Sequence, residues 1–318
     1  MYSPALAMLF GIVNTMVLHL AKSMERHGIE VFDQIRAKLK KEKGESEEGA
    51  KKPVIYLVGL ALNQTPMLWA MLSNMFSDGN SSYHTSMFGL GLIVVMLYSS
   101  RILGETIQKI EYVGAIIMII GTVIIGIENI NRPKPEMEMI LVNAWILIGL
   151  YLAIGIIGLI VAYKKNNPLV TGIIFGLFAG GSGGMDPFLK AVGQSYGVES
   201  AGFLPDLLNP IAILIFVLSF GVGTAAFLIT QWGFARDADA SVLVPCYNSL
   251  YIVWPIILYL FAYPGEYLIY PTTIAGLMLI ITGILLMQGF KRKVRRKQQD
   301  QTEIYAENTT DISEDKVV

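Results

Sequence analysis

The stretch Leu169 to Gln194, LVTGIIFGLFAGGSGGMDPFLKAVGQ, decides how this chain is read. It opens as an apolar helix long enough to enter a bilayer, then runs into Gly180, Gly181, Ser182, Gly183, Gly184, Met185, Asp186 and Pro187. Each glycine costs a helix about 1 kcal/mol against alanine, and Pro187 disfavours helical geometry at Asp186 before it. The run therefore predicts a break in the helix. Irregular backbone survives in hydrocarbon only where protein or a water-filled cavity surrounds it. A break that carries a carboxylate, with Lys190 one turn later, marks a candidate transport site. Asp186 has a second reading, as the N-cap of a resumed half-helix with Pro187 at its first position.

The composition around this stretch is that of a polytopic membrane protein: 53% of residues are hydrophobic and only 15% charged, with a mean hydropathy of +0.54. Taking about 20 apolar residues per crossing, the sequence predicts an all-α protein with nine transmembrane helices. Crossing 1 is Pro4 to Ala21, crossing 2 Val54 to Met75, crossing 3 Tyr83 to Leu103 and crossing 4 Ile110 to Ile127. Crossing 5 is Met139 to Tyr163, and crossing 6 is the interrupted segment itself. Crossings 7, 8 and 9 are Ile211 to Gly233, Ser241 to Tyr263 and Tyr267 to Phe290. With the N-terminus outside, 21 of the 24 Lys and Arg fall in cytoplasmic loops or the tail, as the positive-inside rule requires. Lys22 to Lys52 reads as a solvated cytoplasmic connection, and 291–318 as a disordered cytoplasmic tail. Its basic start, KRKVRRK, suits anionic lipid head groups, and the remainder is acidic. The expected location is the cell membrane.

The chain also resembles itself. Gly104 and Glu105 precede an apolar run with Gly114 and Gly121, and Gly265 and Glu266 precede one with Gly276 and Gly283. Phe10 and Gly11 in crossing 1 match Phe175 and Gly176 in crossing 6. Crossings 1 to 4 (residues 1–128) therefore correspond to crossings 6 to 9 (169–290), with 129–168 connecting them. The offset of five is odd, so the repeat is inverted, a common way for secondary transporters to place one site near the midplane. The paired glycine rows of crossings 4 and 9 permit close packing within one chain or in a homodimer.

Several features together resemble the drug/metabolite transporter superfamily with its EamA-type carriers, and within it the NIPA-like magnesium transporters. They are the crossing pattern, the basic loop after crossing 1, Ser182 followed by Lys190 and Ala191, Thr230 and Gln231 ending crossing 7, and Ser241 to Tyr247 opening crossing 8. The resemblance implies a carrier working by alternating access on Mg2+ or another divalent cation. In crossing 2 that family carries a Gly-Glu pair, whereas Leu62 to Pro66 here has no carboxylate. An EamA-type exporter or importer of a small polar or amphipathic metabolite therefore stays open, as does a membrane scaffold that kept the fold without transport.

Asp186 heads the candidate ligands, as the one carboxylate able to hold a metal ion or carry a coupling proton, with Lys190 its partner. Ser182, Asn14, Asn63, Gln64 and Thr65 are candidate neutral ligands, with interhelical hydrogen bonds as their other reading. Tyr247, Asn248, Tyr251 and Trp69 could wall a pocket for a larger solute. The single cysteine, Cys246, excludes an internal disulfide. No nucleotide loop, zinc-ligand spacing or nucleophile–histidine arrangement occurs, so neither an enzyme, a bound cofactor nor a nucleic-acid partner is expected. The expected partners are membrane lipid and a small solute or ion.

Overall fold

In hydrocarbon a chain must close its backbone hydrogen bonds on itself, and the described residues do so as helices joined by turns. The computed structural model describes residues 2–28, 52–102, 108–132, 139–165, 167–236, 238 and 240–287. The rest of the Lys22 to Lys52 loop, the pair Gly104 and Glu105, and the tail at 291–318 lie outside them. The elements are α1 (Pro4–Gly28), α2 (Lys52–Leu62), α3 (Pro66–Phe76), α4 (Ser82–Thr85), α5 (Gly91–Arg101) and α6 (Lys109–Asn131). They continue with α7 (Leu141–Lys165), α8 (Pro168–Ser195), α9 (Pro210–Ala235), α10 (Ala240–Ala262) and α11 (Pro271–Met287). Six helical segments among the described residues are long and apolar enough to cross a membrane, α2 and α3 counting as one. The apolar helices Ser82–Tyr98, Cys246–Ala262 and Pro271–Met287 are shorter.

The predicted break in crossing 6 does not occur. Residues Pro168–Ser195 form one helix of 28 residues, with the four glycines and Pro187 inside it. Its start is capped by Asn167, whose side chain accepts from the Leu169 and Val170 amides at 2.9 and 3.3 Å. Asp186 is thus a mid-helix residue, and the half-helix N-terminus it was expected to cap is absent. Four glycines and a proline cost about 7 kcal/mol at the usual helix penalties. A break would strand several backbone groups away from water, each costing several kcal/mol, and the helix persists.

The glycines also serve packing. From Phe178 to Gln194 every residue but Asp186 is buried. A methyl built on Gly183 would lie 2.6 Å from the Tyr247 hydroxyl, and one on Gly184 2.9 Å from the Tyr251 carbonyl. At Gly180 the α10 backbone at Tyr247 is closer still. The side-chain-free face of α8 thereby lets α10 approach, while α9, α7, α3 and α4 cover its other sides.

The interruption lies instead in crossing 2, where Asn63 to Thr65 form a turn between α2 and α3 and Pro66 opens α3. Proline is well suited to a first helical position, where its missing N–H is no loss. Crossing 3 is likewise divided, into α4, a 3-10 turn at Phe88–Leu90, and α5. Gly265, at a φ of +86°, lies in a turn with Glu266 several residues before α11, so Glu266 does not open that helix.

The glycine rows of crossings 4 and 9 meet within one chain. A methyl on Gly121 of α6 would lie 2.6 Å from the Gly276 carbonyl, and one on Gly114 2.8 Å from that of Gly283. Of the two arrangements left open for these rows, the structure has the intramolecular one.

Polar contacts knit residues 2–132 to residues 139–287 at the end of the bundle that carries the N-terminus. The Tyr259 hydroxyl accepts from the Ser81 amide at 2.7 Å and donates to the Gly79 carbonyl at 2.8 Å. Gln194 donates to the Met71 carbonyl at 3.2 Å and accepts from Asn74 at 3.0 Å, and the Ala201 amide donates to Asp78 at 2.8 Å. Arg132 pairs with Glu128, donates to the Leu268 carbonyl at 2.7 Å, and stacks 4.2 Å above the Tyr267 ring. Glu128 also accepts from the hydroxyls of Thr272 and Thr273.

The packing of α8 separates two glycine substitutions. Gly180→Ala forces α8 and α10 apart and is expected to cost ~1–3 kcal/mol, the usual penalty of overpacking. Gly149→Ala, on α7 where nothing lies within 4 Å, should leave stability unchanged or raise it by up to about 1 kcal/mol through helix propensity. Thermal unfolding of the two variants in detergent checks both.

Candidate functional site

Asp186 and Lys190 are four residues apart on α8, the separation and order at which a carboxylate and an ammonium meet on one helix face. Lys190 Nζ donates to Asp186 Oδ1 in an ion pair. The two ends of the pair differ in access: the Lys190 side chain is 4% exposed and that of Asp186 26%. Lys190 also lies 4.6 Å from the Phe220 ring of α9, which gives its ammonium an aromatic face. Opposite Asp186 stands Gly223 of α9, where a methyl would come within 3.2 Å of the carboxylate carbon. The missing side chain leaves the carboxylate its room.

From α10, Tyr247 and Tyr251 stand near enough for the Asp186 charge to act on both. Their rings stack 6.0 Å apart, and Tyr251 stacks on Phe88 at 4.0 Å. From α4 comes His84, 2% exposed and within reach of the Lys190 charge. Helices α4, α8, α9 and α10 thus converge on a neutral ion pair walled by aromatic rings.

The other candidates divide. Asn14, 3% exposed on α1, has a side-chain oxygen with no partner, and the indole N–H of Trp69 on α3 is likewise unpaired. Asn248 and Trp254 on α10 each carry an unpaired buried N–H. These atoms have hydrogen-bonding capacity that no protein group uses. Ser182 is not, because its hydroxyl donates to the Phe178 carbonyl at 2.8 Å, one turn back on its own helix. Thr65 is spent the same way on the Leu62 carbonyl at 2.9 Å. Asn63 and Gln64 sit in the α2–α3 turn, Gln64 exposed, and no hydrogen bond given for the described residues joins them to the pair. For Asp186 as a metal ligand, no group of three His, Cys, Asp or Glu placed to hold an ion occurs among the described residues.

His84 is absent from the sequence-based candidates. Its signal was available as a histidine within the apolar crossing 3, where an ionisable residue is expensive enough to mark function. The tight approach of α1 holds it in place: a methyl on Gly11 would lie 2.7 Å from the His84 Cα.

The fold and this site define a multi-pass helical membrane protein with a charged pair among its buried helices. Residues 35–127 match the EamA-like transporter family, over under a third of the chain. No curated protein and no solved structure matches the chain.

The unequal burial of the pair sets an order of stabilities. Asp186→Asn strands a buried ammonium and is expected to cost up to about 3–5 kcal/mol, the penalty for orphaning one member of a buried pair. Lys190→Met strands a carboxylate with more access and should cost less. The double variant Asp186→Asn/Lys190→Met should recover most of the loss, since no charge is left unpaired. Melting temperatures in detergent test the order, and a double variant no more stable than Asp186→Asn would contradict it.

Proposed function

We propose that this protein is a secondary transporter of the drug/metabolite type, moving a small polar solute by alternating access about the Asp186–Lys190 pair. The observation that carries the proposal is the pair itself. Ionisable residues inside a membrane are costly and mark solute or proton paths by default, and this pair faces groups from three other helices. The match of residues 35–127 to EamA-like transporters supports the class.

The architecture belonging to this reading has nine crossings, the N-terminus outside, the C-terminus in the cytoplasm, and crossings 1 to 4 related to 6 to 9 by an inverted repeat. Two sets of contacts support it. The repeat equates Gly114 with Gly276 and Gly121 with Gly283, and so turns the contact of Gly114 with Gly283 into that of Gly276 with Gly121. A two-fold axis between α6 and α11 requires this exchange. Similarly, Gly11 packs on His84 of crossing 3, as Gly176 packs on Leu243 and Cys246 of crossing 8. With the polar contacts of Tyr259, Gln194 and Arg132 across the N-terminal end, the conformation is one closed toward the outside.

An organic solute is favoured over Mg2+. A divalent ion needs several oxygen ligands, and the carboxylate at this site is already neutralised by a lysine. The test is flux into proteoliposomes, with Mg2+ and a panel of small polar and amphipathic metabolites run side by side. Wild-type protein is expected to move an organic solute saturably, and the folded Asp186→Asn/Lys190→Met variant to lose at least tenfold in rate. Saturable Mg2+ uptake lost in the same variant would return the protein to the magnesium branch. A folded wild type that moves nothing would leave the scaffold reading.

A further inference from the structure

On the α1, α3 and α4 side of the bundle lies a second group of polar atoms with no partners. On α1, Asn14 follows Phe10 by four residues and Gly11 by three, so all three share one helix face. Phe10 stacks on Trp69 of α3, ring centres 6.2 Å apart. Gly11 abuts His84 of α4. Asn14, Trp69 and His84 thus gather from three elements around one turn of α1. The Asn14 oxygen, the Trp69 indole N–H and both His84 ring nitrogens are buried without a hydrogen-bond partner. The Ser81 carbonyl, the backbone group that acts on the imidazole, is shared by the His84 and Thr85 amides at 3.2 and 3.0 Å and the Thr85 hydroxyl at 3.1 Å, and offers the ring no well-formed bond. Native structures leave few such groups unpaired, and a cluster of them asks for a ligand.

We propose that Asn14, Trp69 and His84 form the part of the transport site that recognises a neutral hydrogen-bonding group on the solute, a carboxamide or hydroxyl. This rests on the transporter reading of the Asp186–Lys190 pair. The chemistry of the atoms selects the class. Asn14 offers an acceptor and Trp69 a donor, while a neutral imidazole offers one of each. A group that both donates and accepts satisfies them together. A bare cation satisfies only acceptors and is repelled by the indole N–H. With the ion pair summing to zero charge, nothing here selects a net charge on the solute.

The test compares Asn14→Leu, Trp69→Phe and His84→Leu with wild type in detergent, with and without added solute. Replacing an unpaired buried polar group by an apolar one of similar size is neutral or stabilising, whereas removing a paired one is costly. Each variant without solute should therefore melt at or above the wild-type temperature. Millimolar nicotinamide, a flat carboxamide, or xylitol, a polyol, should raise the wild-type melting temperature, and each substitution should abolish that rise. Lower melting of two or more variants without solute would overturn the inference, because the groups would then be structural. So would the absence of any rise with either probe, or a rise with Mg2+ that survives Trp69→Phe. A solute response lost in Asp186→Asn/Lys190→Met but retained in these three variants would overturn this inference alone and leave the transporter reading standing.

Discussion

The constraint on which the structure depends is that backbone groups in hydrocarbon have nowhere to turn but to each other. It keeps α8 helical through Gly180, Gly181, Gly183, Gly184 and Pro187, where water would let the chain unwind. Once the helix is forced to continue, its glycines act as a trough instead of a hinge. The trough receives α10 so closely that the Tyr247 and Tyr251 backbone lies against α8. Their aromatic rings are then brought to Asp186, and the position of the site follows from the packing.

The same constraint governs the charges. An isolated carboxylate or ammonium at this depth is too costly to keep, and the spacing on α8 supplies each with the other. The pair neutralises itself within one helix, so no neighbouring helix need move when it forms. Helices α4, α9 and α10 contribute aromatic faces, a gap at Gly223, and polar atoms whose bonding is incomplete. The adaptable chemistry is concentrated where these elements meet α8.

How much of this was legible in the sequence depends on whether local or tertiary forces decide each feature. The apolar segments, the pairing of Asp186 with Lys190, and the close packing at Gly114, Gly121, Gly276 and Gly283 were readable, because spacing along a helix determines which residues can meet. The continuity of α8 was not. Its glycine run is a breaker by propensity, and only the cost of unpaired backbone under five covering helices reverses that preference. The turn at Asn63 to Thr65 carries only Pro66 as a local signal, weaker than the glycine run of crossing 6. Ser182 looked like a ligand because its bond to the Phe178 carbonyl is invisible until the helix is known to be intact. His84 escaped because it lies near the start of a short, divided crossing, where an orientation toward α8 cannot be inferred from periodicity.

The short helix α4 links the contact between the two parts of the chain to the polar cluster. The amide of Ser81, immediately before this helix, donates to the Tyr259 hydroxyl and so ties the two parts of the chain together at the N-terminal end. His84, three residues on, packs against Gly11. One helical turn is about 5.4 Å, so the contact with Tyr259 and the polar cluster are held by the same short piece. Where α4 moves as a unit away from Tyr259, His84 moves with it. On the transport reading proposed above, a bond from solute to His84 favours whichever arrangement of α4 keeps that bond. Such a bias is no larger than the difference in solute affinity between the two arrangements. The unpaired atoms of His84, Asn14 and Trp69 are the ones through which that difference can arise.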